Sequence, residues 1–485
     1  MSNIVDAAAS VTGEPRSAPA GEAKGRLAAE PRNLKALLLQ LLSKLRSSQL
    51  NRNMGAGSIM ALIGMCVSIL SYPIYLHYLG YHRYGLWLVL SVIVSVAQLG
   101  NLGIPWALMK LVAEDHSRRD WEGVKTYINM GCGIIVAFGL AFVGITTVLR
   151  HSVLVWFKLG GADATTVFTL LPYVALLSLL VLLFSTFNSA LGGLGRMDRG
   201  SYNETLVQIL VVAFSATFLY MGLELRGMLL GGFCGYVAAH IVSFIQVQRM
   251  MPVPLLARTH MSRHKLRQLL GTGGWILTSG AFATMFLPFT RLMLSRYAGL
   301  EAVAVNDMCL MGSMRVRSVF EAAFRPMMPE VSSLRAKKSQ GIHDCINAID
   351  RKCLRVMFLF ALPTFLALMI LINPLLHVWL HKSFNPLLPS TFRIALIGAF
   401  ASLIGSSAYY MLIGLGRARD SAYSAGIQLA ANAVVLIAIA SFMKQITVQE
   451  AAIAFAVATA SSTLFLRFRI FSLVSVEGAS SSFST

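Results

Sequence analysis

Twelve runs of about 20 mostly apolar residues divide this chain, each long enough to cross a bilayer as an α-helix. They cover 55–76, 84–109, 126–149, 167–191, 205–223 and 227–247, then 269–291, 302–324, 354–376, 391–415, 422–443 and 451–474. A bilayer interior offers no partner for an open backbone hydrogen-bonding group, so segments of this length must be helical. The fold class that follows is all-α integral membrane. Composition agrees, since only 13% of residues are charged where a soluble domain carries about 25%. The weakest runs are the eighth, which contains charges, and the twelfth, which ends on Arg467 and Arg469.

The chain outside the runs sets the orientation. Of the 41 Lys and Arg, 30 fall in the N-terminal segment, the loops after even-numbered runs and the C-terminal end. They include Arg258–Arg267 ("RTHMSRHKLR") and Arg335–Lys338 ("RAKK"). Nine lie in or beside the odd-numbered loops, and Arg315 and Arg317 lie inside the eighth run. Positive charge collects on the cytosolic side of a membrane protein, so both termini are expected in the cytosol. The net charge of +20 is thereby explained by topology and calls for no nucleic acid. The first 30 residues lack the apolar core of a signal peptide and read as a disordered extension. Residues 33–48 read either as a surface amphipathic helix or as a helical lead-in. The six cysteines show no ligand spacing, and there is no phosphate-binding glycine loop, so neither metal nor cofactor is indicated.

The chain also repeats itself. Leu191–Tyr202 ("LGGLGRMDRGSY") returns as Leu412–Tyr423 ("LIGLGRARDSAY") at an offset of 221, in the tight turn after the fourth and the tenth run. Tyr78–Gly85 ends the first run much as Tyr297–Ala304 ends the seventh, at an offset of 219. Six runs per copy keep both copies in the same orientation. The expected architecture is therefore two like-oriented six-helix lobes. The expected division is an extension over 1–50, a first lobe over 51–250, a basic linker over 251–268, a second lobe over 269–476 and a tail over 477–485. Runs 1 and 7 both carry glycines and a proline near the outer end, which marks Pro73, Pro288 and Gly280 as candidate gating positions.

The eighth run holds Asn306, Asp307, Arg315, Arg317 and Glu321. An arginine at the bilayer centre costs about 2.5–3.5 kcal/mol on insertion scales, so two of them are not left facing lipid. Asn306, Ser313 and Arg317 share a helix face, and Arg317, Glu321 and Arg325 follow at steps of four, so Glu321 can partner one arginine while the other stays available. The equivalent second run has Gln98 opposite Arg317, with Asn101 a turn on and Lys110 at its cytosolic end. The stripe reads as a hydrated cationic cavity for an anionic headgroup; alternatively the arginines snorkel to the cytosolic interface. Arg291 reads as an interface anchor or a guard at the outer exit, and Asp307 and Glu321 as candidate sites of ion coupling.

Met54–Leu90 ("MGAGSIMALIGMCVSILSYPIYLHYLGYHRYGLWLVL") and Phe320–Leu334 ("FEAAFRPMMPEVSSL") resemble the bacterial Wzx-type polysaccharide flippases of the MOP exporter superfamily. The likeness runs from about Asn53 to Val474. It implies a MOP/MATE-like fold, a central cavity lined with basic residues and a rocker-switch motion. It also implies flipping of an undecaprenyl-diphosphate-linked oligosaccharide across the inner membrane, with a polysaccharide polymerase and a chain-length regulator as partners. Some relatives have fourteen spans, which this chain lacks, and the extension of about 50 residues departs from their short start. Two other readings stay open: an ion-coupled drug exporter of the same superfamily, and a membrane polymerase or ligase. Against the first, runs 1 to 6 hold no Asp or Glu in their cores; against the second, every odd-numbered loop is short.

Overall fold

The computed structural model describes residues 49–101, 103–255, 263–271, 274–321 and 342–481. The segment 33–48, the "AAFRPMMPE" motif, the "RAKK" cluster and the last four residues lie outside them. Every regular element among the described residues is helical. In the first half these are α1 (Gln49–Leu99), α2 (Ile104–Ser117), α3 (Trp121–Val148), the short α4 (Arg150–Trp156), α5 (Gly161–Gly193), α6 (Met197–Tyr220) and α7 (Glu224–Gln248). The linker carries α8 (Arg263–Gly271). The second half has α9 (Gly274–Tyr297), α10 (Leu300–Glu321), α11 (Ile342–Val356), α12 (Leu362–Leu380), α13 (Leu387–Gly414), α14 (Ala418–Met443) and α15 (Val448–Ser481). A five-residue π-helical segment, Met357–Ala361, joins α11 to α12.

Ten helical segments among the described residues are long and apolar enough to cross a membrane. One of them, Leu62–Leu99, runs through a kink at Gly80, whose φ of 66° and ψ of 176° are open to glycine and strained for other residues. α10 is absent from the ten because of its charges. The surface is that of a protein in lipid: Phe442 is 89% exposed and Ile370 75%, a cost no water-facing helix would carry. Inside, helices pack mainly with neighbours from their own half, α7 on α6, α3 and α5 together, α13 on α15 and α14 on α9.

The sequence echo is an echo of backbone geometry. After α5, Gly195 takes φ 76° and Arg196 N donates to Leu191 O at 2.9 Å; after α13, Gly416 takes φ 72° and Arg417 N donates to Leu412 O at 2.9 Å. Both turns close a helix by the same left-handed glycine cap. Gly80 and Gly299 (φ 91°) are paired at the 219 offset, and Gly222 (φ 80°) is matched by Lys444 (φ 57°). At the start of α15, Thr447 N donates to Glu450 Oε2 at 2.7 Å and Glu450 N to Thr447 Oγ1 at 3.2 Å, a reciprocal capping box.

One expectation needs correction. The second run, read as a continuous span over 84–109, is broken between Leu99 and Ile104. Gly103 adopts φ 67° and Pro105 opens α2, a pairing that ends one helix and starts another. Lys110 therefore stands on a different helix from Gln98. It is exposed and pairs with Glu114 at 3.7 Å.

The linker is held firmly. Tyr127 Oη donates to Gln268 Oε1 at 2.6 Å, and Lys265 Nζ lies 4.8 Å from the Tyr127 ring centroid and 3.7 Å from Asp115. Burial pushes the Asp115 carboxyl above its ordinary range, with Lys265 pulling the other way. Arg467 and Arg469 are internal ties within the second half. Arg467 meets Asp350 at 2.6 Å and donates to Ile404 O at 2.7 Å, while Arg469 pairs with Asp420 at 3.1 Å.

At the Gly80 end the two halves touch closely. A Cβ on Gly85 would stand 1.9 Å from the carbonyl oxygen of Leu300. Gly85→Ala is expected to force α1 and α10 apart at a cost of at least about 1–3 kcal/mol, because the obstacle is backbone. Thermal melting in detergent checks it, with Gly133→Ala, where nothing lies within 4 Å, melting as wild type.

Candidate functional site

The polar residues of α10 form two groups. Nearer the Gly80 end, Asn306 and Asp307 are buried, Asp307 at 3% exposure. Asp307 Oδ1 accepts from both Nε and Nη2 of Arg291, which projects from α9 one turn after Pro288. Arg291 Nη1 then crosses to the other half, donating to Ser91 Oγ at 2.9 Å and Leu88 O at 3.4 Å, both on α1. Arg291 thus binds α1, α9 and α10 at one point. Beside it, Asn432 on α14 donates to Thr290 Oγ1 at 2.9 Å and steadies α9 from behind.

Further bonds between the halves lie at the same end. Tyr81 Oη donates to Ser383 O at 2.6 Å, and Ser295 Oγ donates to Phe157 O at 3.0 Å. Arg296 reaches the carbonyls of Val155 and Trp156 at 3.5 Å. The Gly80 end is closed.

The second group lies two turns and more along α10. Arg317 donates to Ser402 Oγ and, at 2.6 Å, to Glu321 Oε2. Tyr410 Oη donates to Glu321 Oε1 at 3.1 Å. Arg317 is thereby neutralised within the second half. Arg315 is different. Its Nη2 donates to Ser68 Oγ on α1 at 3.2 Å, and it meets no carboxylate among the described residues. Asp307 is taken by Arg291 and Glu321 by Arg317, so among the described residues Arg315 is the cation of α10 without a carboxylate, placed where it reaches α1.

The remaining candidates are scattered around this core. Gln98 is exposed near the end of α1, and Asn101 lies in the break after it with a buried side-chain oxygen that has no partner. Asn306 likewise keeps a buried unpartnered oxygen. Lys110 lies away from the group on α2. Pro73 and Pro288 sit inside helices that continue through them, and Gly280 is exposed with open space beside it. Sequence reasoning missed Ser68, Ser91, Ser402 and Tyr410, which receive or orient the charges. A hydroxyl in a membrane helix commonly bonds its own backbone, as Ser71 does with Ser68 O at 2.8 Å, so nothing in the sequence marks these four.

These residues build a multi-pass helical protein with one closed end, a polar interior and repeated turns. The chain belongs to the family of polysaccharide biosynthesis proteins, whose model matches residues 50–332. It is similar to a Shigella flexneri protein described as "Putative O-antigen transporter", with 18% identity over 344 residues, covering 71% of this chain and 80% of that one. In fold it is similar to an inward-facing multidrug resistance MATE family transporter of the MOP superfamily. That match has TM-score 0.71 and 14% identity, covering 86% of this chain and 95% of the other. Against an outward-facing MATE transporter the TM-score is 0.59 at 15% identity, over 90% and 99% of the two chains.

Removing one member of a buried ion pair strands the other at a cost of about 3–5 kcal/mol, whereas replacing both by apolar residues is far milder. Asp307→Asn is therefore expected to lower the melting temperature sharply, and Arg291→Met/Asp307→Leu to recover most of the loss. Thermal unfolding of both variants in detergent checks it.

Proposed function

We propose that this transporter flips an undecaprenyl-diphosphate-linked oligosaccharide from the cytosolic to the periplasmic leaflet of the bacterial inner membrane by alternating access. The observation that carries the reading is Arg315, an arginine of an apolar run that reaches the other half of the chain and meets no carboxylate among the described residues. An unpaired cation in a low-dielectric interior is costly on its own and attracts an anion strongly. A diphosphate is an anion of the right kind, while a cationic drug would be repelled, since Asp307 and Glu321 are already engaged. The family match and the O-antigen transporter relative support a glycan-linked cargo.

Twelve crossings in two lobes are part of the proposal: the ten apolar helices, with the arms of α1 on either side of Gly80 counted separately and α10 added. The positive-inside distribution puts the Gly80 end in the periplasm and both termini in the cytosol. With that end closed by Arg291, Asp307 and Ser91, the cargo enters from the cytosolic side. Its diphosphate meets Arg315, with Gln98, Asn101 and Asn306 offering hydrogen bonds to headgroup or sugar. Pro73, Pro288 and Gly280 lie on the helices that must rearrange for the periplasmic end to open.

The test is translocation of a fluorescent undecaprenyl-diphosphate oligosaccharide in proteoliposomes. Arg315→Gln is expected to lower the rate at least about tenfold, the loss of one hydrogen bond to a charged group. Arg317→Gln, which leaves the half-buried Glu321 with Tyr410 but without its cation, is expected to lower melting temperature as well as rate. Full transport by Arg315→Gln would overturn the anion site.

A further inference from the structure

A cavity of about 210 Å³ lies between α9, α10, α14 and α15, with Phe282, Phe286, Met311, Met314 and Phe455 among the side chains that line it. A single amide, Gln428, is the polar group on its wall. The volume is below the 300–1,000 Å³ of a whole small-molecule site, so the cavity suits a segment of a larger ligand. The chemistry of the wall narrows the segment. Flexible methionines and aromatic rings conform to a branched hydrocarbon, and one amide is too few to pair the hydroxyls of a sugar.

The position of the cavity connects it to Arg315. Met311 precedes Arg315 by four residues and Met314 precedes it by one, so Met311 and Arg315 lie one turn apart on one face of α10. From the edge of the cavity Arg315 itself reaches toward α1, where its guanidinium bonds Ser68 across the gap. An apolar recess and an uncompensated cation are therefore neighbours on one helix. A ligand satisfying both has a phosphate group joined directly to a hydrocarbon. Phe282 is exposed at the edge of the cavity, so a chain can enter from the side.

We propose that the cavity is the binding subsite for the first isoprene units of a polyprenyl diphosphate, held there while Arg315 binds the adjoining phosphate. The inference rests on the transport reading and adds to it a fixed place for the lipid nearest the headgroup. The remainder of the prenyl chain stays in the bilayer. Seating the junction of lipid and phosphate fixes which end of the cargo is read. The sugars beyond the diphosphate then project into the space between the halves, free to differ from one glycan to another.

The experiment is photolabelling of the full chain in lipid nanodiscs. The probe is farnesyl diphosphate with a diazirine on its first isoprene unit, and the control is farnesol carrying the same diazirine; labelled peptides are mapped by mass spectrometry. The expected result is labelling of α9 and α10 around Phe286, Met311 and Met314 by the diphosphate, and at least about tenfold less by the alcohol. Two small residues of the wall provide independent filling variants, Ala425→Phe and Ala283→Leu. Each is expected to abolish that labelling while melting within a few degrees of wild type. Arg315→Gln is expected to bring diphosphate labelling down to the level of the alcohol. Equal labelling by the two probes, labelling of lipid-facing α12 in place of α10, or labelling that persists in both filling variants would overturn the subsite. Its failure is distinguishable from failure of the transport reading. A flippase without this subsite translocates cargo while α10 stays unlabelled; a chain that labels there but translocates nothing keeps the subsite and loses the function.

Discussion

The arrangement of this molecule depends on one buried charge. Arg291 leaves α9, neutralises Asp307 on α10 and continues into α1, where a hydroxyl and a main-chain carbonyl take two more of its hydrogens. In a dry interior a guanidinium is tolerated only when a carboxylate and further acceptors surround it. Those acceptors come from both halves of the chain. Closure of the Gly80 end is therefore a condition for the solvation of Arg291, and separating the halves there must give Arg291 water or another anion in exchange for Ser91 and Leu88. A bond that is strong when dry and replaceable when wet suits an end that opens in the proposed transport cycle.

Seen from Arg291, the rest of α10 divides its labour. Asp307 serves closure, Glu321 serves Arg317, and Arg315 is left over. The difference follows from angular position. Arg317 and Glu321 are one turn apart and turn toward Ser402 and Tyr410 on α13, inside the second half. Arg315, two residues earlier, points almost the opposite way, toward Ser68 on α1. Two arginines separated by a single residue on a helix cannot share a face, so one becomes structural and the other is presented to the gap.

Much of this was legible in the sequence. Apolar runs of spanning length announce themselves, and the paired "GLGR" turns reappear as paired left-handed glycines, Gly195 and Gly416. The break in the second run was also written, in Gly100, Gly103 and Pro105, but the residues around them stay apolar and the run reads as unbroken. The pairing of Arg317 with Glu321 followed from a spacing of four. What the sequence withheld is which charges meet across helices. Arg291 lies near the end of its run, where an interface anchor would also lie, and only the approach of α1 to α10 at Gly85 brings Ser91 and Leu88 within its reach. Ser68 and Ser402 carry no mark at all, since a hydroxyl is informative only through the neighbour that the fold supplies.

The two halves share turns but not charges. They keep Gly80 with Gly299 and Gly195 with Gly416, because a left-handed position resists substitution by most residues. Span interiors face no such constraint. Where the second half has Arg317, the first has Gln98, and Arg291 and Asp307 bond to plain serine and backbone on the other side. A symmetric pair of cationic helices would face each other across the gap and repel. One charged half against one polar half allows the gap to close at one end, with Asp307 and Glu321 each held by an arginine of their own half. The asymmetry leaves Arg315 without a carboxylate among the described residues, and its place beside an apolar recess gives the proposed diphosphate a greasy neighbour.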